Sequence, residues 1–146
     1  EMGVIPVVNE NDSVCIEEIE SEHKVFGDND TLSAAVAVLV SADVLVILSD
    51  IDGLYSGDPR KDDYAVLIPV VESLEDGEHR DFDAGGAGTS FGTGGMSTKI
   101  KAAKIATSNG IDTVIINGAY PQRLYGVLEG KIHGTLFKKR AKGAKA

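Results

Sequence analysis

Three short runs of β-branched or aliphatic residues recur along the chain, VIPVV at 4–8, VLVIL at 44–48 and TVII at 113–116. Each is bounded by turn residues and reads as a buried strand. Helical patterning separates them at 31–41 and 97–108. Strands alternating with helices predict an α/β fold, here a three-layer α/β/α sandwich on a mostly parallel sheet covered on both faces. Residues 14–19 and 23–26 read as a small hairpin off that sheet, 68–71 as a further strand and 74–80 as a short helix. Segment 83–95 carries six glycines and reads as a mobile loop. Pro121 suits the first turn of a last short helix that Gly130 stops, and 135–137 would then be an edge strand. A buried strand as early as 4–8 normally has neighbours, so the expectation is that N-terminal strands of the sheet are missing.

Composition narrows the class. A chain of 146 residues, 42% hydrophobic and 25% charged, suffices for one globular domain with a core. No apolar run approaches the roughly 18 residues of a membrane span, and no charged-then-apolar leader opens the sequence, so the expectation is a cytoplasmic protein without a membrane partner. The single cysteine, Cys15, cannot form an internal disulfide. His23, His79 and His133 lack zinc spacing and read as structural or surface residues, and no metal ligand is assigned. A net charge of −9 argues against nucleic acid as a partner. The stretch KKRAKGAK runs the other way and reads as a solvated tail, with an RNA contact or a cut linker as alternatives. The expected division is therefore 1–137 as the folded part and 138–146 as a basic tail.

Chemistry gathers in four places. FGTGGMSTK, residues 91–99, puts glycines and a lysine at the start of a helix. Unpaired N–H groups and about half a positive charge at such a start favour an anion, and phosphate is the leading candidate. The spacing matches neither GxxxxGK[ST] nor GxGxxG. NEND (9–12), GDND (27–30) and SDIDG (49–53) lie at strand or helix ends, where ligands of open α/β sheets bind. GDND is also what helix capping prefers, and SDIDG can be a plain turn. NEND and GDND together crowd carboxylates that need cations nearby, whether lysines, magnesium or an ammonium group. Neither acidic run fits a calcium loop, because Leu32 and Leu54 fall where oxygen ligands are required.

In order, VIPVVNENDSV, VFGDNDTLSA, LVILSDIDGLYSGDPR and FGTGGMSTKIKAA resemble the glutamate 5-kinases, a branch of the amino acid kinase family, and the likeness extends to GTLF at 134–137. The glycine-rich loop is closer to the bacterial single-activity kinases than to the fused plant and animal ones. The resemblance implies ATP-dependent phosphorylation of the L-glutamate side-chain carboxylate to L-glutamyl 5-phosphate, the first step of proline biosynthesis, with Mg²⁺. It implies that Asp12 and Asn29 bind L-glutamate with help from Asn9, and that Ser49 and Asp50 contact the nucleotide. Thr93, Gly94, Gly95, Met96, Ser97, Thr98 and Lys99 would form the ATP loop, with Lys99 reaching the phosphates and Asp30 organising the catalytic lysines. A homo-oligomer and feedback inhibition by proline are further implications. The family's opening strand with its lysine and glycine-rich turn, and the serine after it, have no counterpart here. The resemblance therefore implies the C-terminal, ATP-binding part of the kinase domain, expected to be inactive by itself. The rival readings are another amino acid kinase, acting on acetylglutamate, aspartate or a nucleotide, and a non-catalytic nucleotide-binding module.

Overall fold

In the computed structural model, residues 4–9, 29–74 and 95–140 are described. They form helix α1 (Asn29–Leu39), strand β1 (Val44–Ser49), the short β2 (Val70–Val71), helix α2 (Gly95–Ser108), β3 (Asp112–Asn117), helix α3 (Arg123–Leu128) and β4 (Gly134–Phe137). The sheet has the order β1-β3-β4-β2. β1 runs parallel to β3 with Val44 opposite Asp112 and Ser49 opposite Asn117, so both strands end at the same rim. β2 runs parallel to β4, and β3 pairs antiparallel with β4. The sheet is thus mostly parallel within an α/β fold, as the alternating pattern predicts.

β3 decides where the core lies. Thr113, Val114, Ile115 and Ile116 are all at most 1% exposed, so this strand is covered on both faces, as an almost uninterrupted apolar run requires. Leu45 and Ile47 of β1, Ile115 of β3 and Phe137 of β4 join one apolar cluster with Ala34 and Ala37 of α1 and Ile100, Ala102, Ala103 and Ala106 of α2. Helices α1 and α2 pack on each other and on β1. Alanines at the buried positions keep side-chain bulk low where the helices meet, so their first turns stay close together.

All three of the described helices end in the same way. Ser41, Gly110 and Gly130 have φ of 54°, 81° and 75°. In each case two backbone bonds close the turn: Ser41 N–H to Val38 O and Ala42 N–H to Ala37 O, Gly110 to Thr107 and Ile111 to Ala106, Gly130 to Val127 and Lys131 to Gly126. These are Schellman caps, which glycine enters without a Cβ penalty. Gly130 therefore stops α3 as expected.

Several expectations need correction. Residues 4–9 have no regular structure, and Ile5 and Val7 are 91% and 92% exposed, so the expected buried strand at 4–8 is not formed. An apolar run becomes a strand only where a neighbour supplies its hydrogen bonds, and none of the four described strands pairs with it. β4 is not an edge strand: it lies between β3 and β2, with Thr135 and Phe137 fully buried. Pro121 precedes α3 rather than opening it, since Gln122 is the cap and Arg123 the first helical residue. α1 and α2 each begin two residues earlier than their patterning suggests, and α1 ends at Leu39. The further strand is confined to Val70–Val71. The hairpin at 14–26, residues 75–80 of the short helix and 83–94 of the glycine loop lie outside the described residues.

Candidate functional site

At the rim where β1 and β3 end, the backbone of Gly118 donates to Ser49 O at 2.8 Å and fixes the two strand ends side by side. The chain leaves β1 through Asp50 to Gly53 and turns back toward β2, with Tyr55 bridging to Leu67. Thr135 of β4 anchors this return. Its hydroxyl accepts from Leu54 N–H at 2.8 Å and donates to Ile68 O at 2.7 Å.

Between that loop and the start of α2 lies an open cleft. Ser49, Asp50, Tyr55, Asp58 and Arg60 line one side, and Gly95, Met96 and Lys99 the other. Its mixed polar and apolar lining, and its position at strand C-termini where open α/β sheets bind ligands, suit a small molecule. Gly95 and Met96, the first two residues of α2, line this region, and a helix start favours an anion.

Lys99 sits one turn into α2, and its Nζ lies 3.0 Å from Asp30 Oδ2 in α1. The same oxygen accepts from the Thr98 hydroxyl at 2.8 Å. Both partners are largely enclosed, with side chains 15% and 20% exposed for lysine and aspartate. Packing of α1 on α2 thus holds the lysine at the cleft wall through a fixed carboxylate. Opposite, Arg60 Nη2 donates to Asp50 Oδ2 at 2.8 Å, and Ser49 Oγ donates to Asp50 Oδ1 at 3.2 Å. The Arg60 bond, foremost, holds the Asp50 carboxyl below its ordinary value of 3.8. Asp50 and Arg60 are both exposed, so the pair can open cheaply when another anion arrives.

A second charged group stands behind the loop. Arg123 Nη1 lies 2.6 Å from Asp52 Oδ1, and the guanidinium stacks 4.4 Å above the Tyr120 ring. Arg123 is also the main reason that the Asp52 carboxyl sits below 3.8, with burial opposing and with lesser hydrogen-bond contributions from Asn117 and Tyr55. Burial, and then the charge of Asp52, push the Tyr55 phenol above 10.0.

Of the residues singled out in the sequence, Ser49, Asp50, Gly95, Met96 and Lys99 come together on the cleft, with Asp30 and Thr98 directly behind Lys99. Ser97 lies on the same first turn of α2. Asn29 opens α1 next to Asp30, and Asn9 lies in the exposed 4–9 segment, neither lining the cleft. Asp12, Thr93 and Gly94 lie outside the described residues. Sequence reasoning missed Tyr55, Asp58 and Arg60. The signal was the run GLYSGDPR directly after SDID, where an arginine follows a turn proline beside an anion cradle.

The fold is α/β with an open cleft at its strand ends, and the chain belongs to the amino acid kinase family, whose model matches residues 1–117. At the level of individual relatives it is 53% identical over 138 residues to the glutamate 5-kinase of Clostridium perfringens, covering 94% of this chain and 50% of that protein. It is 56% identical over 140 residues to the glutamate 5-kinase of Carboxydothermus hydrogenoformans, covering 96% and 36%. The chain thus spans about half or less of the length of these curated relatives. Among solved structures, isopentenyl phosphate kinase of T. acidophilum matches with a TM-score of 0.55 at 25% identity, over 75% of this chain and 38% of that one. Uridylate kinase of Archaeoglobus fulgidus matches with a TM-score of 0.55 at 21% identity, over 77% and 47%. These likenesses bear out the expected fold class. Among the described residues no helix is long and apolar enough to cross a membrane.

Proposed function

We propose that this chain supplies the nucleotide-binding half of a glutamate 5-kinase, which transfers the γ-phosphoryl group of ATP to the side-chain carboxylate of L-glutamate. The observation that carries the reading is Lys99, set in the wall of the cleft by Asp30, one turn into a helix whose N-terminus faces the same space. Relatives bearing that activity at 53% and 56% identity support glutamate as the acceptor. On this reading residues 1–137 belong to the kinase domain, and 138–146 form a basic tail.

The donor set fits a triphosphate. Lys99 and the α2 N-terminus supply positive charge on one side, and Arg60 is available on the other once its exposed pair with Asp50 opens. Among the described residues no group of three His, Cys, Asp or Glu could hold a metal ion. Mg²⁺ usually keeps several waters and binds through phosphates plus one or two carboxylates, which here would be Asp50 or Asp58 on the cleft. When bound, the ion neutralises charge on the phosphates.

The acceptor needs no general base, because a glutamate side chain of pKa about 4.3 is already deprotonated at neutral pH. One carboxylate oxygen forms the new bond to the γ-phosphorus as the bond to the β,γ-bridging oxygen breaks, and ADP leaves with that electron pair. The protein's contribution is alignment and charge stabilisation. Lys99 stabilises charge on the transferred group, and Asp30 holds it in place. Asp12 and Asn29, with Asn9, bind the glutamate.

Two measurements test the reading: ATP binding by calorimetry, and glutamate-dependent ADP release. Both are run on this chain alone and on the chain joined to the segments of the Clostridium perfringens enzyme that it does not match. Binding by both proteins and turnover by the joined one are expected. Turnover with acetylglutamate, aspartate or UMP in place of glutamate would reassign the acceptor, and failure of the joined protein to turn over any of them would leave a binding module.

A further inference from the structure

We infer that Arg123 and Asp52 are positioning residues for the nucleotide cleft, holding the wall that carries Tyr55 through an ion pair to α3. This rests on the reading of the cleft as a nucleotide site. The loop that follows β1 has two independent anchors. Its inner anchor is the Thr135 hydroxyl, buried and bonded on both sides to Leu54 and Ile68, which ties the loop to β4. Its outer anchor is Asp52, whose carboxylate accepts from Arg123 Nη1 at 2.6 Å.

The bond therefore joins the loop, three residues before Tyr55 on the cleft wall, to the start of α3, which follows the end of β3 at Asn117. Asn117 is itself oriented, because its Oδ1 accepts from Ala119 N–H at 2.9 Å. Arg123 is held from the other side by the Tyr120 ring. Neither Asp52 nor Arg123 lines the cleft, whereas Tyr55, three residues after Asp52, does. The pair is half-enclosed, with side chains 40% and 26% exposed for Asp52 and Arg123, so it is stiffer than the Asp50–Arg60 pair across the mouth, at 76% and 62%. Loss of Arg123 would leave Asp52 without its cation and free Tyr55 to turn out of the wall.

The test uses R123Q and R123K in the whole chain, with ATP affinity by calorimetry, melting temperature, and the NMR ring resonances of Tyr55 assigned through Y55F. R123Q is expected to move the Tyr55 resonances and to weaken ATP binding by roughly 3- to 30-fold. R123K is expected to recover part of both, and R123Q to lower the melting temperature at neutral pH by no more than D52N does. Unmoved Tyr55 resonances in R123Q would overturn the proposal whether or not ATP binds. Moved resonances with unchanged ATP affinity would overturn it as well. If the unaltered chain fails to bind ATP, the nucleotide reading falls and the proposal falls with it, whereas a failure confined to R123Q leaves that reading in place.

Discussion

Lys99 Nζ lies 3.0 Å from Asp30 Oδ2 although 69 positions separate the two in sequence, and the bond joins the first turns of two adjacent helices. A lysine has a long, mobile stem, and a fixed carboxylate one helix away confines its charge to the cleft wall.

Removal of the charge and removal of its holder are therefore expected to differ. In the joined kinase, K99A lowers kcat by on the order of 10²-fold or more, as for loss of a donor that stabilises the transition state, with a smaller change in the KM for glutamate. D30N retains the lysine and is expected to fall between K99A and the unaltered protein. Steady-state kinetics decide it: K99A turning over at the unaltered rate removes Lys99 from the chemistry.

The two ends of the site should separate in binding. D12A and N29A are expected to raise the KM for glutamate and to leave ATP affinity nearly intact, since Asn29 lies beside Asp30 but away from the cleft lining. Calorimetry with ATP, alongside a glutamate titration, checks this. A loss of ATP binding in either variant would mean that the division of the site is wrong.

The Asp52–Arg123 pair has a pH signature. Arg123 holds the folded Asp52 carboxyl below its ordinary value of 3.8. A depressed carboxylate contributes stability that is fully present above the unfolded value and disappears as pH falls through the folded one. Melting temperatures of the unaltered chain and D52N are thus expected to differ by a constant amount from neutral pH down to about 4, and to converge below it. A gap that persists unchanged at pH 3 would contradict the ion pair as its cause.

Ser41 offers a stabilising change. It occupies the same left-handed cap position as Gly110 and Gly130, at φ 54°, but carries a Cβ. S41G is expected to raise stability by about 0.5–1 kcal/mol, because the strain of a left-handed residue, about 1–2 kcal/mol, is partly offset by the greater unfolded-state freedom of glycine. Denaturant unfolding with an unchanged m-value measures it. A loss of stability would show that the Ser41 side chain makes a contact worth more than the strain.

Helices and central strands were legible because their signals are local. VLVIL and TVII could be little else than buried strands, and the alanine-rich stretch after the glycine turn carries its own periodicity. Position within the sheet was not legible for the last strand, since three residues, one of them a threonine, look the same at an edge and in the middle. Thr135 is buried because its hydroxyl satisfies Leu54 and Ile68, partners far away in sequence. The apolar run at 4–8 misled for the converse reason: composition sets strand preference, but a ladder needs a neighbour. Lys99 and Asp50 were readable as chemistry, whereas Arg60 reaches the cleft through a turn whose geometry no pattern of residues spelled out.

The placement of β4 between β3 and β2 governs the order in which the molecule can be assembled on the ribosome. Among the described strands, once Asn117 at the end of β3 has been made only the β1–β3 pair can form, and β2 lacks its β4 partner until Gly134–Phe137 is made. At about 5–20 residues per second, the 20 residues from Asn117 to Phe137 take roughly 1–4 seconds, during which the inner edge of β3 is an open row of hydrogen-bonding groups. That edge is open to mispairing until β4 covers it.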